Sequence, residues 1–375
     1  MRTEFSSSEQ GGAAAATMVR GVRPEWRQRV GVLTFHRCIN YGSYWQARCL
    51  VEGLRARGHD AMLLDHRSAR VDRAEWRCAL QPLLPARGPS SDRALYAAKA
   101  RKFLAALAAL SRSRPFDLDA PHGLEAYDLV LVGSDEVWNL LHPWYGRAPL
   151  FWGAGVTGPR LAAYGASFGT YDAQHGLDAE RGLWLRRFDA ISVRDANSRA
   201  LARDATGREP ALVLDPCLAF PPQIRLPDVG EPYLLVYGHS FPNWFVHAVR
   251  RVRERGWRLY SAGYRNDWAD AQHLDAGPLE FARLVAGAAA VATNFFHGCV
   301  FALLHRKPFV CAGSFYRANK LQSLAEQVGT EARLLSEDRA DAAAELLRAP
   351  LEPEVSERIA ALRAQSLLFL DHVLA

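Results

Sequence analysis

The sequence predicts an α/β protein of two lobes, each a parallel sheet covered by helices on both faces. Three observations predict it. From Val30 onward, short apolar strands alternate with helix-spaced segments, as in a sheet buried on both sides. The pattern stops at a Pro-rich stretch, AFPPQIRLPDVGEP, and then restarts. At 375 residues the chain also exceeds what one hydrophobic core usually supports.

Taken in order, residues 1–28 are small and polar without a continuous apolar run, so they read as a disordered leader and not a secretory signal. Met18 within them is a second candidate start. The first lobe, residues 29–220, opens with the strand VGVLTF. A helix over about 43–57 follows, its buried face given by Ala47, Leu50, Val51 and Leu54 at i, i+3, i+4 and i+7. AMLLDH is the next strand, then an Arg-rich, Pro-broken stretch and a helix around Leu95 to Leu110. YDLVLVGSD, LAAYGAS, DAISVRD and ALVLD continue the strands.

The second lobe, residues 221–350, reads as strand YLLVYG, helix 243–255, strand WRLYSAG, helix from Pro278, strand AVATN, helix 296–305 and strand PFVC. Residues 351–375 carry Val355, Ile359 and Leu362 on one helix face, packing back across the first lobe. Two such Rossmann-like lobes make a GT-B-like architecture. Ligands meet open α/β sheets at the carboxyl ends of strands, so the active site is expected in the interlobe cleft.

Composition narrows the function. With 49% hydrophobic and 23% charged residues the chain can bury a core. No run approaches the roughly 18 apolar residues of a membrane span. Six cysteines without a CxxC pair fit a reducing cytoplasm and argue against structural zinc. No HExxH signature occurs, and no metal or resident cofactor is expected. The net charge of +6 is spread along the chain, which speaks against nucleic acid and leaves anionic small substrates.

The chemistry-bearing residues lie at strand ends. YDLVLVG runs into Ser134 and Asp135, where an acid can orient or deprotonate a hydroxyl; the alternative is a helix cap. DAISVRD ends in Arg194, able to hold a carboxylate or phosphate through two hydrogen bonds, or else paired with Asp195 or Asp189. In AVATNFFHGCVFALLHRKPF a strand stops at Thr293 and Asn294 and a helix begins near His297 and Gly298. His297 in that first turn joins imidazole chemistry to a site that favours anions; the alternative is a buried histidine bonded to a carbonyl. Arg317 and Lys320 precede a further helix, suited to phosphate or to solvent.

In order and spacing, TFHRCINYGSYWQA, YDLVLVGSDEVWN, LAAYGASFG, FDAISVRD, LVLDP, AAAVATNFFHGCVFALLHRKPF and RANKLQSL resemble the polysaccharide pyruvyltransferase family from about Val30 to about Arg333. GSDEVWN and FHGCVFALLHRKPF are the most specific. The resemblance implies transfer of a pyruvyl unit from phosphoenolpyruvate to two hydroxyls of a sugar or glycan, forming a cyclic ketal in cell-surface polysaccharide biosynthesis. It implies His297 as the essential histidine at the donor, with Arg194 and Asp135 beside it and Arg317 with Lys320 as a second basic cluster. Asn40, Tyr41 and Gly42 match the first acceptor-side loop. Phe295 stands where many members have Ser and Cys299 where many have Thr, so the donor pocket is expected to lose two hydroxyls. Lys320 replaces a common Arg and loses its fork. Two rival readings are a GT-B nucleotide-sugar glycosyltransferase, with Glu280 as the carboxylate for ribose, and a degenerate member that binds glycan without turnover.

Overall fold

The computed structural model describes residues 27–375 except 85, 87, 122–124, 147, 226–229 and 314–317. The leader expected over residues 1–28 thus lies outside the described residues, save Arg27 and Gln28.

The strands are β1 (Arg29–Leu33), β2 (Asp60–Leu63), β3 (His66–Arg67), β4 (Phe116–Asp117), β5 (Leu129–Val132), β6 (Arg160–Ala166), β7 (Ala190–Val193), β8 (Ala211–Leu212), β9 (Tyr233–Tyr237), β10 (Arg258–Ala262), β11 (Ala271–His273), β12 (Ala290–Thr293), β13 (Phe309–Ala312) and β14 (Leu334–Leu335). They form two parallel six-stranded sheets ordered β2-β1-β5-β6-β7-β8 and β11-β10-β9-β12-β13-β14, with β3 and β4 as a separate parallel pair. The second order is the Rossmann order, and the first is its close relative with one fewer strand before the reversal. The two-lobe, GT-B-like α/β fold is therefore what the alternation of strands and helices dictated. In each sheet the order reverses at one place: beside β1 and β5 in the first lobe, and beside β9 and β12 in the second. Those reversals open the crevices in which α/β sheets bind ligands.

One stretch differs from expectation. The Arg-rich segment after β2 carries a 12-residue helix, Ala69–Leu80. Its buried residues are Val71, Glu75 and Ala79, so the inward stripe lacks the apolar pattern by which a helix is recognised.

The lobes share an apolar seam. The helix Tyr41–Ala56 begins at Asn40, whose side-chain oxygen accepts the N–H groups of Gly42 and Ser43. The Tyr41 ring stacks on Phe281, 4.1 Å between centroids, and its hydroxyl donates to the Ala276 carbonyl at 2.6 Å. Trp45 Nε1 donates to the Pro278 carbonyl. Burying these aromatics across the seam fixes the angle at which the two strand-end crevices face one another. The C-terminal helix, Pro353–Leu374, accepts the Leu214 N–H at Ser366 and donates from Arg363 to the Leu218 carbonyl, while Gln28 bonds the Leu374 carbonyl. Among the described residues, no helix is long and apolar enough to cross a membrane.

Candidate active site

A cavity of about 320 Å³ lies between the strand ends of the two lobes. Asn40, Ser43, Asp135, Glu136 and Arg194 reach it from the first lobe, and Tyr237, His239, Phe295, Phe296, His297 and Lys320 from the second. Asp135 follows β5 and His297 follows β12, one at each reversal.

A chain of opposite charges runs across the cleft. Arg194 Nη1 donates to Asp215 Oδ2 at 3.0 Å and Nη2 to Asp135 Oδ1 at 3.3 Å. Asp135 also accepts the Ser43 hydroxyl at 2.7 Å, so the first lobe's opening helix and its central strand meet on one carboxylate. On the far side of Asp215, His297 Nε2 lies 3.3 Å away, an ion-pair distance short of a well-directed hydrogen bond. The Asp215 side chain is wholly buried. Burial alone would raise its carboxyl, but His297 and then Arg194 outweigh that and hold it well below the usual carboxylate range. The Arg194 guanidinium sits 4.8 Å over the Phe296 ring, and its Nε is buried without a hydrogen-bond partner among the described residues.

Lys320 pairs with Glu136, which also accepts Asn139 Nδ2. Burial would raise the Glu136 carboxyl, but Lys320 dominates and its pKa falls to about 2. A depressed carboxylate contributes stability that is present above its unfolded pKa, about 4.5, and is lost as pH falls toward 2. Thermal melts between pH 6 and pH 3 should therefore drop steeply for the native chain and less steeply for Glu136→Gln.

His297 is the second residue of the helix Phe296–Leu304, whose N-cap, Phe295, offers no side-chain bond to the free N–H groups. Its ring rests on Gly42. A Cβ there would fall 2.0 Å from His297 Nδ1, so the helix start of the first lobe must be glycine for the imidazole to reach Asp215. Gly42→Ala should displace the ring and cut activity about 100-fold, as small misplacements of reacting groups do; a transferase assay with the fold checked by circular dichroism measures it.

Several expectations from the sequence are corrected by the structure. Ser134 is wholly buried, its hydroxyl donating to the Gly165 carbonyl, so it cannot contact a ligand as expected. Asp135 precedes no helix, and its carboxylate serves Ser43, Arg194 and the Glu136 N–H instead of capping. Arg194 pairs with neither Asp195 nor Asp189. Tyr41 is buried in the interlobe seam, a packing residue in place of an acceptor contact. Asn40 lines the cavity but spends its side-chain oxygen as a cap. Asn294 donates to the His239 carbonyl from behind the cavity wall. Gly298 lets the helix sit on Thr293, whose Oγ1 would be 2.0 Å from a Cβ. Arg317 lies outside the described residues. Cys299 is buried against Cys311, so only Phe295 of the two departures touches the pocket, in a cluster with Tyr237, His239 and Tyr264. Glu280 pairs with Lys102 away from the cavity.

Asp215, Glu136 and Lys99 were not picked out from sequence. Asp215 ends ALVLD just as Asp135 ends its strand, and that shared position was the available signal. Among the described residues, no three His, Cys, Asp or Glu side chains gather as a metal site.

No curated protein matches the chain. Among solved structures it is similar to UDP-GlcNAc 2-epimerase from Neisseria meningitidis, at 10% identity and a TM-score of 0.46 over 90% of this chain and 99% of that one. It is also similar to a glycosyltransferase from Streptomyces sp. SF2575, at 13% identity and a TM-score of 0.45 over 91% and 96%. The family model described as polysaccharide pyruvyl transferase matches residues 40–314, which hold Asp135, Arg194, Asp215 and His297, and the chain belongs to that family.

Proposed function

We propose that the protein transfers a pyruvyl group from phosphoenolpyruvate to two hydroxyls of a sugar or glycan, forming a cyclic ketal and releasing phosphate, without a resident cofactor or metal. Residues 29–220 supply the acceptor side and 221–350 the donor side, and the reaction belongs to cytoplasmic exopolysaccharide biosynthesis. The observation that supports the reading best is His297, held at a helix start between Gly42 and a buried Asp215 and facing the interlobe cavity.

The chemistry asks for such groups. A proton added at C3 of the donor makes C2 electrophilic, and one sugar hydroxyl then bonds to C2. The C2–O bond to phosphate breaks, and the second hydroxyl closes the ketal. Of the two hydroxyl protons, one balances that added at C3 and the other leaves on phosphate. His297 acts as the acid or as a phosphate ligand at the positive end of its helix. Arg194 and Lys320 steady the donor's charges, and Asp135, holding Ser43, orients the acceptor. Incubating the purified chain with phosphoenolpyruvate and a glycan panel should release phosphate only with the right acceptor. Donor-independent binding of a nucleoside diphosphate, with no phosphate released from any pair, would favour the glycosyltransferase reading.

A further inference from the structure

The basic groups at the charged end of the cavity are already compensated. Arg194 lies between Asp135 and Asp215, His297 faces Asp215, and Lys320 pairs with Glu136. Three carboxylates therefore oppose three basic side chains there. Arg194 and Lys320 can hydrogen-bond an entering anion, but with their carboxylates beside them they add little net charge to hold it.

Lys99 lines the same cavity from the helix Asp92–Ala108 and differs in kind. It is 2% exposed. Its Nζ donates to the Gly263 carbonyl at 2.9 Å and lies 4.8 Å from the Tyr264 ring, 5.5 Å from Tyr41 and 5.6 Å from Tyr96. Among the described residues no carboxylate stands within ion-pair distance of it. An ammonium carries three donors, and the bond to the Gly263 carbonyl uses one. Aromatic faces offset only about 0.5–2 kcal/mol of the cost of burying such a charge. Consistently, burial lowers the Lys99 pKa to about 7. Its neighbour Lys102, one helical turn on, is compensated by Asp275 and Glu280, so the missing counter-charge is particular to Lys99.

Building on the donor reading above, we propose that Lys99 is the counter-charge for the substrate anion: a phosphate or carboxylate oxygen of the ligand sits beside its Nζ, at the Tyr264 side of the cavity. The ligand then completes an ion pair that the protein leaves half made, while the Asp215 end supplies proton chemistry and orientation. The site takes an oxyanion on a small molecule, and Tyr264 with Phe295 gives that molecule an apolar wall.

Calorimetric titration of the native chain and Lys99→Met with phosphoenolpyruvate, inorganic phosphate and glucuronate tests this. The native chain should bind phosphoenolpyruvate, and Lys99→Met should bind it about 10- to 100-fold more weakly, the worth of one hydrogen bond to a charged group. Equal affinity in a folded Lys99→Met would overturn the assignment and leave the donor reading standing. Binding of glucuronate but not phosphoenolpyruvate, lost in Lys99→Met, would keep Lys99 as counter-charge and remove the donor reading. No binding of any of the three anions by the native chain would overturn the assignment as well. Should Lys99→Met fail to fold, Lys99→Gln, which keeps a donor for the Gly263 carbonyl but no charge, decides: weaker binding of phosphoenolpyruvate supports the site, and equal affinity overturns it.

Discussion

Asp215→Asn should cost the chain about 3–5 kcal/mol of stability and lower turnover at least 100-fold. The carboxylate is wholly buried between Arg194 and His297, and it also accepts the Cys217 N–H at 3.0 Å. Asparagine keeps the volume and an acceptor but no charge. Arg194 then keeps Asp135 at 3.3 Å but loses the shorter of its two buried carboxylate partners, and breaking a buried ion pair costs far more than the pair stabilised. His297 loses the charge that faces its Nε2. Urea unfolding monitored by circular dichroism reads the first effect, and phosphate release reads the second. Native stability together with native turnover would remove Asp215 from the site.

His297→Gln should behave differently, with turnover down by about a hundredfold to ten-thousandfold and stability little changed. Glutamine can still donate toward Asp215, and Asp215 keeps Arg194, so no buried charge is orphaned. What disappears is the imidazole itself, as proton carrier or phosphate ligand at the helix start. The contrast between the two variants separates chemistry from support: Asp215→Asn moves both readouts, His297→Gln moves one. Phosphate release by His297→Gln at the native rate would sink the donor-side assignment.

Much of this molecule is legible in the sequence. Short apolar runs such as LVLV and AVAT, bounded by turn residues, read as strands buried on both faces, and the helices between them give parallel sheets with strand ends on one side. Strand-end logic then pointed to Asp135, Arg194 and His297, all of which reach the cavity. The same logic applied to ALVLD would have found Asp215. Ser134 followed the rule and failed it, because its hydroxyl turns inward to the Gly165 carbonyl while Asp135 faces the cleft.

The sequence alone determined the fold class, the break between two sheets and the helix start that carries His297, since each rests on local periodicity and on short-range backbone sterics. Only the tertiary structure decided which charges are spent on one another. Ion pairs such as Arg194 with Asp135 and Asp215, or Lys320 with Glu136, join residues 21 to 184 positions apart. Pairing across such distances depends on how two sheets and a seam of aromatics pack. For the same reason Lys99, unremarkable on its helix, became the cation that packing left without a carboxylate.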